Sequence, residues 1–157
     1  MHPSRPAKKS GRASKPAEGA GARISLVETI HEELTMSHET LEPAEVIHRF
    51  NDVFQHHDPS ALTELVAADC VIENTQPAPN GSRHVGRDAC VALWTGIATN
   101  QGTWFDIEEV IVTGDRAIIL WRLHWGEGEQ CSMRGVNLMR IAGGKIVEAR
   151  GYVKGAS

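Results

Sequence analysis

The sequence predicts a single α+β domain in which helices pack on one face of an antiparallel sheet. Three stretches with the helical spacing of apolar residues lie between residues 41 and 100, with one strand pattern among them. Alternating strand patterns, separated by glycine-containing turns, then run almost without interruption from residue 103 to residue 153. Helices followed by a long strand meander are typical of the α+β class.

The N-terminal part of the chain differs in composition from the rest. Residues 1–23 are rich in Pro, Gly, Ser and Lys, which predicts a disordered tail. They hold six basic side chains and one acidic one, which gives the tail a net charge of +5. Because the whole chain has a net charge of −4, the remaining residues carry a net charge of −9. Residues 24–40 are interpreted as a linker in which apolar residues from Ile24 to Leu34 have the spacing of a short helix. The predicted domain occupies residues 41–155.

Several classes of function are disfavoured by composition and spacing. An acidic domain offers no clustered Lys and Arg surface for nucleic acid, and no apolar run approaches the ~20 residues of a membrane helix. Cys70, Cys90 and Cys131 are widely spaced, which indicates free thiols in a reducing compartment and predicts a cytoplasmic protein. No metal-ligand spacing and no nucleotide-binding glycine motif is found, so we expect no metal and no cofactor.

The three predicted helices have distinct signals. The first carries an apolar stripe made of Val46, Ile47, Phe50, Val53 and Phe54. The second begins at Asp58-Pro59, where an aspartate caps free amides and a proline fits the first helical position, and it turns Leu62, Leu65 and Val66 inward. The third follows Gly86 and places Cys90, Leu93, Trp94 and Ile97 on one face.

The last predicted hairpin contains an unexpected polar residue. In GVNLMRIAGGKIVEARGYV, two alternating runs meet at Gly143-Gly144, which indicates a β-hairpin. Asn137 shares its strand face with Gly135, Met139 and Ile141, a face that is otherwise suited to burial. A carboxamide there either contacts a ligand in a cavity or bonds a neighbouring buried group.

The order of elements and two long stretches resemble the SnoaL-like branch of the nuclear transport factor 2-like superfamily, which includes the ketosteroid isomerases. The stretches are DPSALTELVAADCVIENTQPAPNGSRHVGRDACVALW and GVNLMRIAGGKIVEARGYVKG, and the resemblance runs from about Ala44 to Gly155. It implies a cone-shaped curved antiparallel sheet that wraps around three helices, an α+β barrel with a deep pocket. It also implies a homodimer formed through the outer face of the sheet.

The resemblance identifies positions for chemistry. The acid and base positions of ketosteroid isomerases fall on Asn74, Phe50 and Asn137, and the acid/base position of SnoaL-type polyketide cyclases also falls on Asn137. A carboxamide does not take a proton near neutral pH, but it donates and accepts hydrogen bonds. We therefore consider Asn137 and Asn74 as groups that orient a ligand oxygen, and His84 as the group that moves a proton.

Apolar side chains are expected to form the wall of the pocket, although aromatic residues are equally suited to fill a core. The candidates are Phe50, Phe54, Trp94, Trp121, Leu123, Met133, Met139 and Tyr152. Other proton acceptors considered are Glu73, Asp106, Glu108, Glu109 and Glu148. The sheet face of Asp106 and Glu108 is ambiguous because strict alternation gives them the same face as the apolar Trp104 and Val110. Strand alternation places Arg122 and His124 on the outer face.

The sequence leaves three functions open. The first is a protein that binds a small, mostly apolar molecule and acts as a cofactor-independent isomerase, cyclase or dehydratase on a carbonyl or hydroxyl compound. The second is a non-catalytic ligand-binding domain, favoured by carboxamides at the usual acid and base positions. The third is a protein-interaction domain that uses the outer sheet face and the basic tail. A small apolar molecule and a second copy of the chain are the predicted partners.

Overall fold

The computed structural model of the protein describes residues 39–155. This part contains three helices, α1 (Pro43–Gln55), α2 (Leu62–Leu65) and α3 (Arg87–Ala98). It also contains six strands, β1 (Val66–Glu73), β2 (Arg83–Val85), β3 (Trp104–Thr113), β4 (Arg116–His124), β5 (Ser132–Ala142) and β6 (Lys145–Val153). The predicted tail 1–23 and nearly all of the predicted linker 24–40, with its Ile24–Leu34 helix, lie outside the described residues.

The helices form where the apolar spacing predicts them. Pro43 occupies the first turn of α1, whose buried side chains Val46, Ile47, Phe50 and Val53 are those of the predicted stripe. The Asp58 carboxylate accepts a hydrogen bond from the Ser60 amide at 3.0 Å and caps a 3-10 turn that leads into α2. Within the described residues, no helix combines the length and the apolar character needed to cross a membrane.

The sheet has the order β2-β1-β6-β5-β4-β3 and is mixed. Strand β1 pairs with β6 in parallel, whereas every other neighbouring pair is antiparallel, as the sequence predicts. The edge strands β2 and β3 do not pair with each other, so the sheet stays open. The predicted cone-like α+β fold is confirmed, with one parallel pair that joins the strand after α2 to the end of the meander.

The core lies between the helices and one face of the sheet. Its buried side chains come from all three helices and from β1, β4, β5 and β6. Two of them are thiols, since Cys70 and Cys90 are both fully buried and the Cys90 Sγ donates to the Cys70 carbonyl at 3.4 Å. Burial raises the pKa of Cys70 to about 12 and also raises the pKa of Cys90. Both thiols therefore stay protonated and act as small core side chains.

A β-bulge in β3 resolves which face its acidic residues occupy. Ile107 pairs with Trp121 and Glu109 pairs with Leu120, so Glu108 is the extra residue. Before the bulge, Asp106 lies on the outer face opposite Arg122. Beyond the bulge the alternation is shifted by one residue, and Val110 pairs with the buried Ile119 on the inner face. The ambiguity in the sequence arises because a strict period of two does not hold across this strand.

The ring of Trp121 lies over the backbone of Gly135. The two residues are paired across β4 and β5, and a Cβ atom at position 135 would collide with Trp121 Cζ2 and come within 2.7 Å of the Tyr152 carbonyl oxygen. Only glycine leaves room for this contact. The Trp121 ring in turn makes an edge-on contact with Phe105, with ring centroids 5.5 Å apart.

Gly135→Ala is expected to destabilise the domain by about 1–3 kcal/mol, because the new methyl group must displace either the Trp121 ring or the β6 backbone. The matched control is Gly96→Ala in α3, where a Cβ atom meets nothing within 4 Å. There alanine should stabilise the helix by roughly 0.5–1 kcal/mol. Urea unfolding of both variants measures the two free energies of unfolding. An equal effect of the two substitutions would contradict the contact between Trp121 and Gly135.

Candidate functional site

A cavity of about 270 Å³ lies between α1, α3 and the inner face of the sheet. Most of its lining residues are apolar: Phe50, Phe54, Trp94, Ile97, Phe105, Ile107, Ile119, Trp121, Leu123 and Met133. The others are uncharged and polar: Asn51, Asn74, Thr75, Gln76 and Asn137. None of the cavity-lining side chains in the described part of the chain is ionisable. We call this space the inner cavity.

Aromatic rings form a continuous wall of the inner cavity. Trp94 contacts Phe50, Phe50 contacts Phe54, Phe54 contacts Phe105, and Phe105 contacts Trp121, with centroid distances of 4.8 to 5.7 Å. Every contact is edge-on, with interplanar angles of 64° to 82°. This geometry suits the quadrupoles of the rings, so the wall is held in place by its own contacts.

The carboxamide of Asn137 lies at the centre of the inner sheet face. Asn137 is paired with Ile119 on β4 and with Gly151 on β6. A Cβ atom at Gly151 would lie 3.4 Å from Asn137 Oδ1 and 2.7 Å from Thr75 Cγ2, so glycine at this position makes room for Thr75 beside the amide. Among the side-chain hydrogen bonds within residues 39–155, none involves Asn137 or Asn74.

The segment that follows β1 carries Asn74, Thr75 and Gln76 into the cavity wall. Backbone hydrogen bonds hold it, from the Asn74 amide to the Ser82 carbonyl at 2.8 Å and from the Ser82 amide to the Gln76 carbonyl at 2.9 Å. Gly81 has a φ of +73°, and a Cβ atom there would collide with the Asn74 carbonyl. Thr75 and Gln76 were not predicted as site residues, because residues in a loop have no periodic pattern that indicates which way they face.

Trp121 also carries a buried donor without a partner. The residue is 7% exposed, and its Nε1 is fully buried with no hydrogen-bond partner among the described residues. Leaving a buried N–H unpaired costs about 1–3 kcal/mol. Because Nε1 has no accessible surface, this donor does not face the inner cavity.

Eight of the eleven candidate site residues line the inner cavity: Asn74, Asn137, Phe50, Phe54, Trp94, Trp121, Leu123 and Met133. Five further residues that were not among the candidates also line the cavity: Asn51, Ile97, Phe105, Ile107 and Ile119. Asn51 adjoins Phe50 on α1, and Ile119 shares the face of Trp121 on β4. Their spacing therefore carried a usable signal.

Three candidate residues lie elsewhere. Met139 is 1% exposed and packs in the core, because its part of β5 is covered by helices and leaves no free space. Tyr152 is 53% exposed on the outer face, since the pleat that turns Gly151 inward turns Tyr152 outward. His84 lies on the short strand β2, where its Nε2 is 2.9 Å from the Ser82 hydroxyl oxygen, and it does not line the inner cavity.

The five acidic candidates lie outside the inner cavity, and all of them except Glu109 are in ion pairs within the described residues. Glu148 is 3.6 Å from both Arg116 and Arg150, and the Glu108 carboxylate contacts Arg122 and Arg134. The expected outward direction of Arg122 and His124 agrees with these contacts and with the 2.7 Å distance from His124 Nε2 to Asp106. Within residues 39–155, no three His, Cys, Asp or Glu side chains form a group suited to a metal ion.

Comparison with known proteins assigns the family. Residues 47–149 match the model of the SnoaL-like domain, which is about two thirds of the chain. The chain belongs to the SnoaL-like family. A nuclear transport factor 2-like protein of unknown function from Mesorhizobium loti is 64% identical, with 72% of this chain and 91% of that chain covered and a TM-score of 0.68. No curated protein matches the chain.

More distant solved structures share the fold. A putative polyketide cyclase from Sinorhizobium meliloti is 21% identical, with 71% of this chain and 99% of that chain covered and a TM-score of 0.57. A steroid delta-isomerase from Pseudomonas aeruginosa is 16% identical, with 72% of this chain and 80% of that chain covered and a TM-score of 0.59. These two likenesses show the fold alone, and a fold does not by itself specify an activity.

Proposed function

We propose that this SnoaL-like protein binds a small, mostly apolar molecule whose enclosed part carries a carbonyl or hydroxyl oxygen and no charge. The observation that carries the proposal is the uncharged lining of the inner cavity, in which aromatic and aliphatic side chains surround a few carboxamide and hydroxyl groups. Ligand sites are typically apolar with a few placed polar groups. A charge enclosed there would lose its hydration without meeting a counter-ion, which costs several kcal/mol.

The ligand oxygen would bind at Asn137. Its amide nitrogen donates to a carbonyl, its amide oxygen accepts from a hydroxyl, and neither is engaged by another side chain in residues 39–155.

The size of the inner cavity limits the enclosed part of the ligand. About 270 Å³ is near the lower end of the range for small-molecule sites. At ~30 Å³ for each water-sized group, it holds on the order of ten non-hydrogen atoms. The edge-on aromatic wall suits a compact bicyclic or monocyclic body.

Binding without proton transfer is favoured over isomerase, cyclase or dehydratase chemistry. Those reactions need a group within hydrogen-bond reach of the reacting atom that accepts a proton near neutral pH. The inner cavity offers carboxamides where related enzymes have acids, and His84 and the acidic residues lie outside its lining. The retained amide would stabilise a bound oxygen without exchanging its proton.

The role of Asn137 is tested with tetralin and 1-tetralone, which share a bicyclic body and differ by one carbonyl group. We expect 1-tetralone to bind more tightly by about five- to tenfold, because one net hydrogen bond contributes on the order of 1 kcal/mol. In Asn137→Leu, which keeps the size of the side chain, this preference should vanish while tetralin still binds. Quenching of tryptophan fluorescence measures both affinities.

The matched control is Asn51→Leu on α1, which removes a carboxamide from another part of the lining. It should retain most of the preference for 1-tetralone. A preference that persists in Asn137→Leu would remove this residue from the site. Failure of both probes to bind the wild-type protein would count against the inner cavity as a small-molecule site.

We also propose that the outer sheet face joins two copies of the chain. Ile111, Leu138 and Tyr152 are 42%, 40% and 53% exposed on that face. Both signs of charge lie near them, as in the pairs that Arg150 forms with Glu73 and Glu148. A patch that contains apolar groups and both charges is able to complement itself about a two-fold axis.

The dimer is tested with Leu138→Asp, which introduces an unpaired carboxylate at the middle of the outer face. Light scattering should give twice the chain mass for the wild-type protein and the single chain mass for the variant, because burying the charge costs several kcal/mol. Val85→Asp, at a 62% exposed position on the edge strand β2, is the control and should remain dimeric. A monomeric wild-type protein would reject the proposal.

A further inference from the structure

A second, more open space of about 640 Å³ adjoins the inner cavity at the end of the sheet. Gln76 and Met133 line both spaces, so the two spaces meet at these side chains. The second space is also lined by Arg122, Arg134 and Lys154. We call it the cationic groove.

Three of the four charged residues that line the cationic groove are basic, and the fourth is Glu129. The two arginines share one carboxylate, since Nε of Arg122 and Nε of Arg134 lie 3.4 and 2.9 Å from Oε1 of Glu108. With Glu108 and Glu129 counted, one positive charge is left over. The groove therefore favours a negatively charged group.

The guanidinium groups of Arg122 and Arg134 have further N–H donors for that negatively charged group. Each guanidinium has five N–H donors, and in both ion pairs the contact with Glu108 is made through Nε. Among residues 39–155, no terminal nitrogen of either arginine donates a hydrogen bond to another side chain or to the backbone. Terminal guanidinium nitrogens are suited to paired hydrogen bonds with a carboxylate.

An apolar surface connects the two spaces. Trp125 lines the cationic groove and is 45% exposed, which is a large apolar area for a residue with no core role. Its loop is closed by a hydrogen bond from the Trp125 amide to the Cys131 carbonyl at 3.0 Å, so the ring is attached to an ordered turn. Met133 lines both spaces, so a short alkyl chain that leaves the inner cavity would meet apolar side chains where the spaces adjoin.

We infer that the natural ligand is an amphipathic carboxylate, with its uncharged apolar body in the inner cavity and its carboxylate in the cationic groove. This inference rests on the proposed function and names the class of ligand for that site. The division follows from the two linings, because the inner cavity has no counter-ion for a carboxylate and the groove has three basic side chains beside an exposed indole. A wholly neutral ligand would leave the groove unused.

The test uses 4-(1-naphthyl)butanoate and 4-(1-naphthyl)butanamide, which share a ring system and a tether and differ only in the charge of the end group. The measured quantity is the ratio of the two dissociation constants at low ionic strength, so the amide is the reference within each variant. We expect the carboxylate to bind about fivefold more tightly, since exposed ion pairs have modest strengths that add over two or three partners. The ratio should approach one in about 0.5 M salt, where such pairs are screened.

Arg134→Gln and Lys154→Gln should each reduce the ratio towards one. The matched control is Arg116→Gln, which removes the same charge from the opposite end of β4 beside Asp115 and Glu148, and it should keep the wild-type ratio. Circular dichroism confirms that each variant is folded.

Each remaining outcome counts against a specific claim. Equal binding of acid and amide by the wild-type protein would overturn the carboxylate inference and leave the uncharged inner cavity as proposed. A preference that survives both Arg134→Gln and Lys154→Gln would overturn the groove as its cause. If neither naphthyl compound binds while 1-tetralone does, the carboxylate inference fails alone; if none of these compounds binds, the proposed function fails with it.

Discussion

The contact between the Trp121 ring and the Gly135 backbone is the constraint on which the site depends. With no side chain at position 135, the indole lies across β5 and reaches Phe105, the first link in the edge-on row of rings. The position of the ring sets one boundary of the inner cavity and keeps its Nε1 buried without an acceptor among the described residues. A bulkier residue at position 135 would displace the ring and alter the shape of the cavity.

Gly151, on the strand β6 that pairs with the Asn137 strand, also allows a close contact that a side chain would prevent. Gly151 is paired with Asn137 across β5 and β6, and a side chain there would contact both Thr75 and the Asn137 amide. The glycine thus lets Thr75 pack beside the carboxamide, and both side chains line the inner cavity. This explains why a polar residue is tolerated on an inward-facing strand position: the strand faces a cavity there, whereas two residues further on Met139 meets solid core.

Much of this arrangement was predictable from local patterns, and the rest was not. Helical spacing located α1 and α3, and the alternation of β4 correctly separated Trp121 and Leu123 from Arg122 and His124. The face of Asp106 and Glu108 required knowledge of the bulge, which depends on pairing with another strand. The parallel pairing of β1 with β6 and the cavity contacts of Thr75 and Gln76 are likewise tertiary features that leave no periodic signal in the sequence.

The distribution of charge distinguishes this chain's site from the proton-transfer sites that the sequence resemblance implied. Carboxylates are present on the strands, but the structure pairs them with arginines on the outer face, as with Glu108 and Glu148. The inner cavity keeps only groups whose hydrogen bonding is unaffected by pH near neutrality. One fold therefore supports either chemistry or simple binding, depending on which face carries the ionisable groups.

The most direct test of the uncharged cavity is the pH dependence of ligand affinity. 1-Tetralone has no ionisable group, so its dissociation constant should stay constant within about twofold from about pH 5 to pH 8.5 if no titrating side chain touches it. A change of about tenfold or more with a midpoint in this interval would place a histidine or a carboxyl group against the ligand, and would contradict the uncharged lining of the inner cavity.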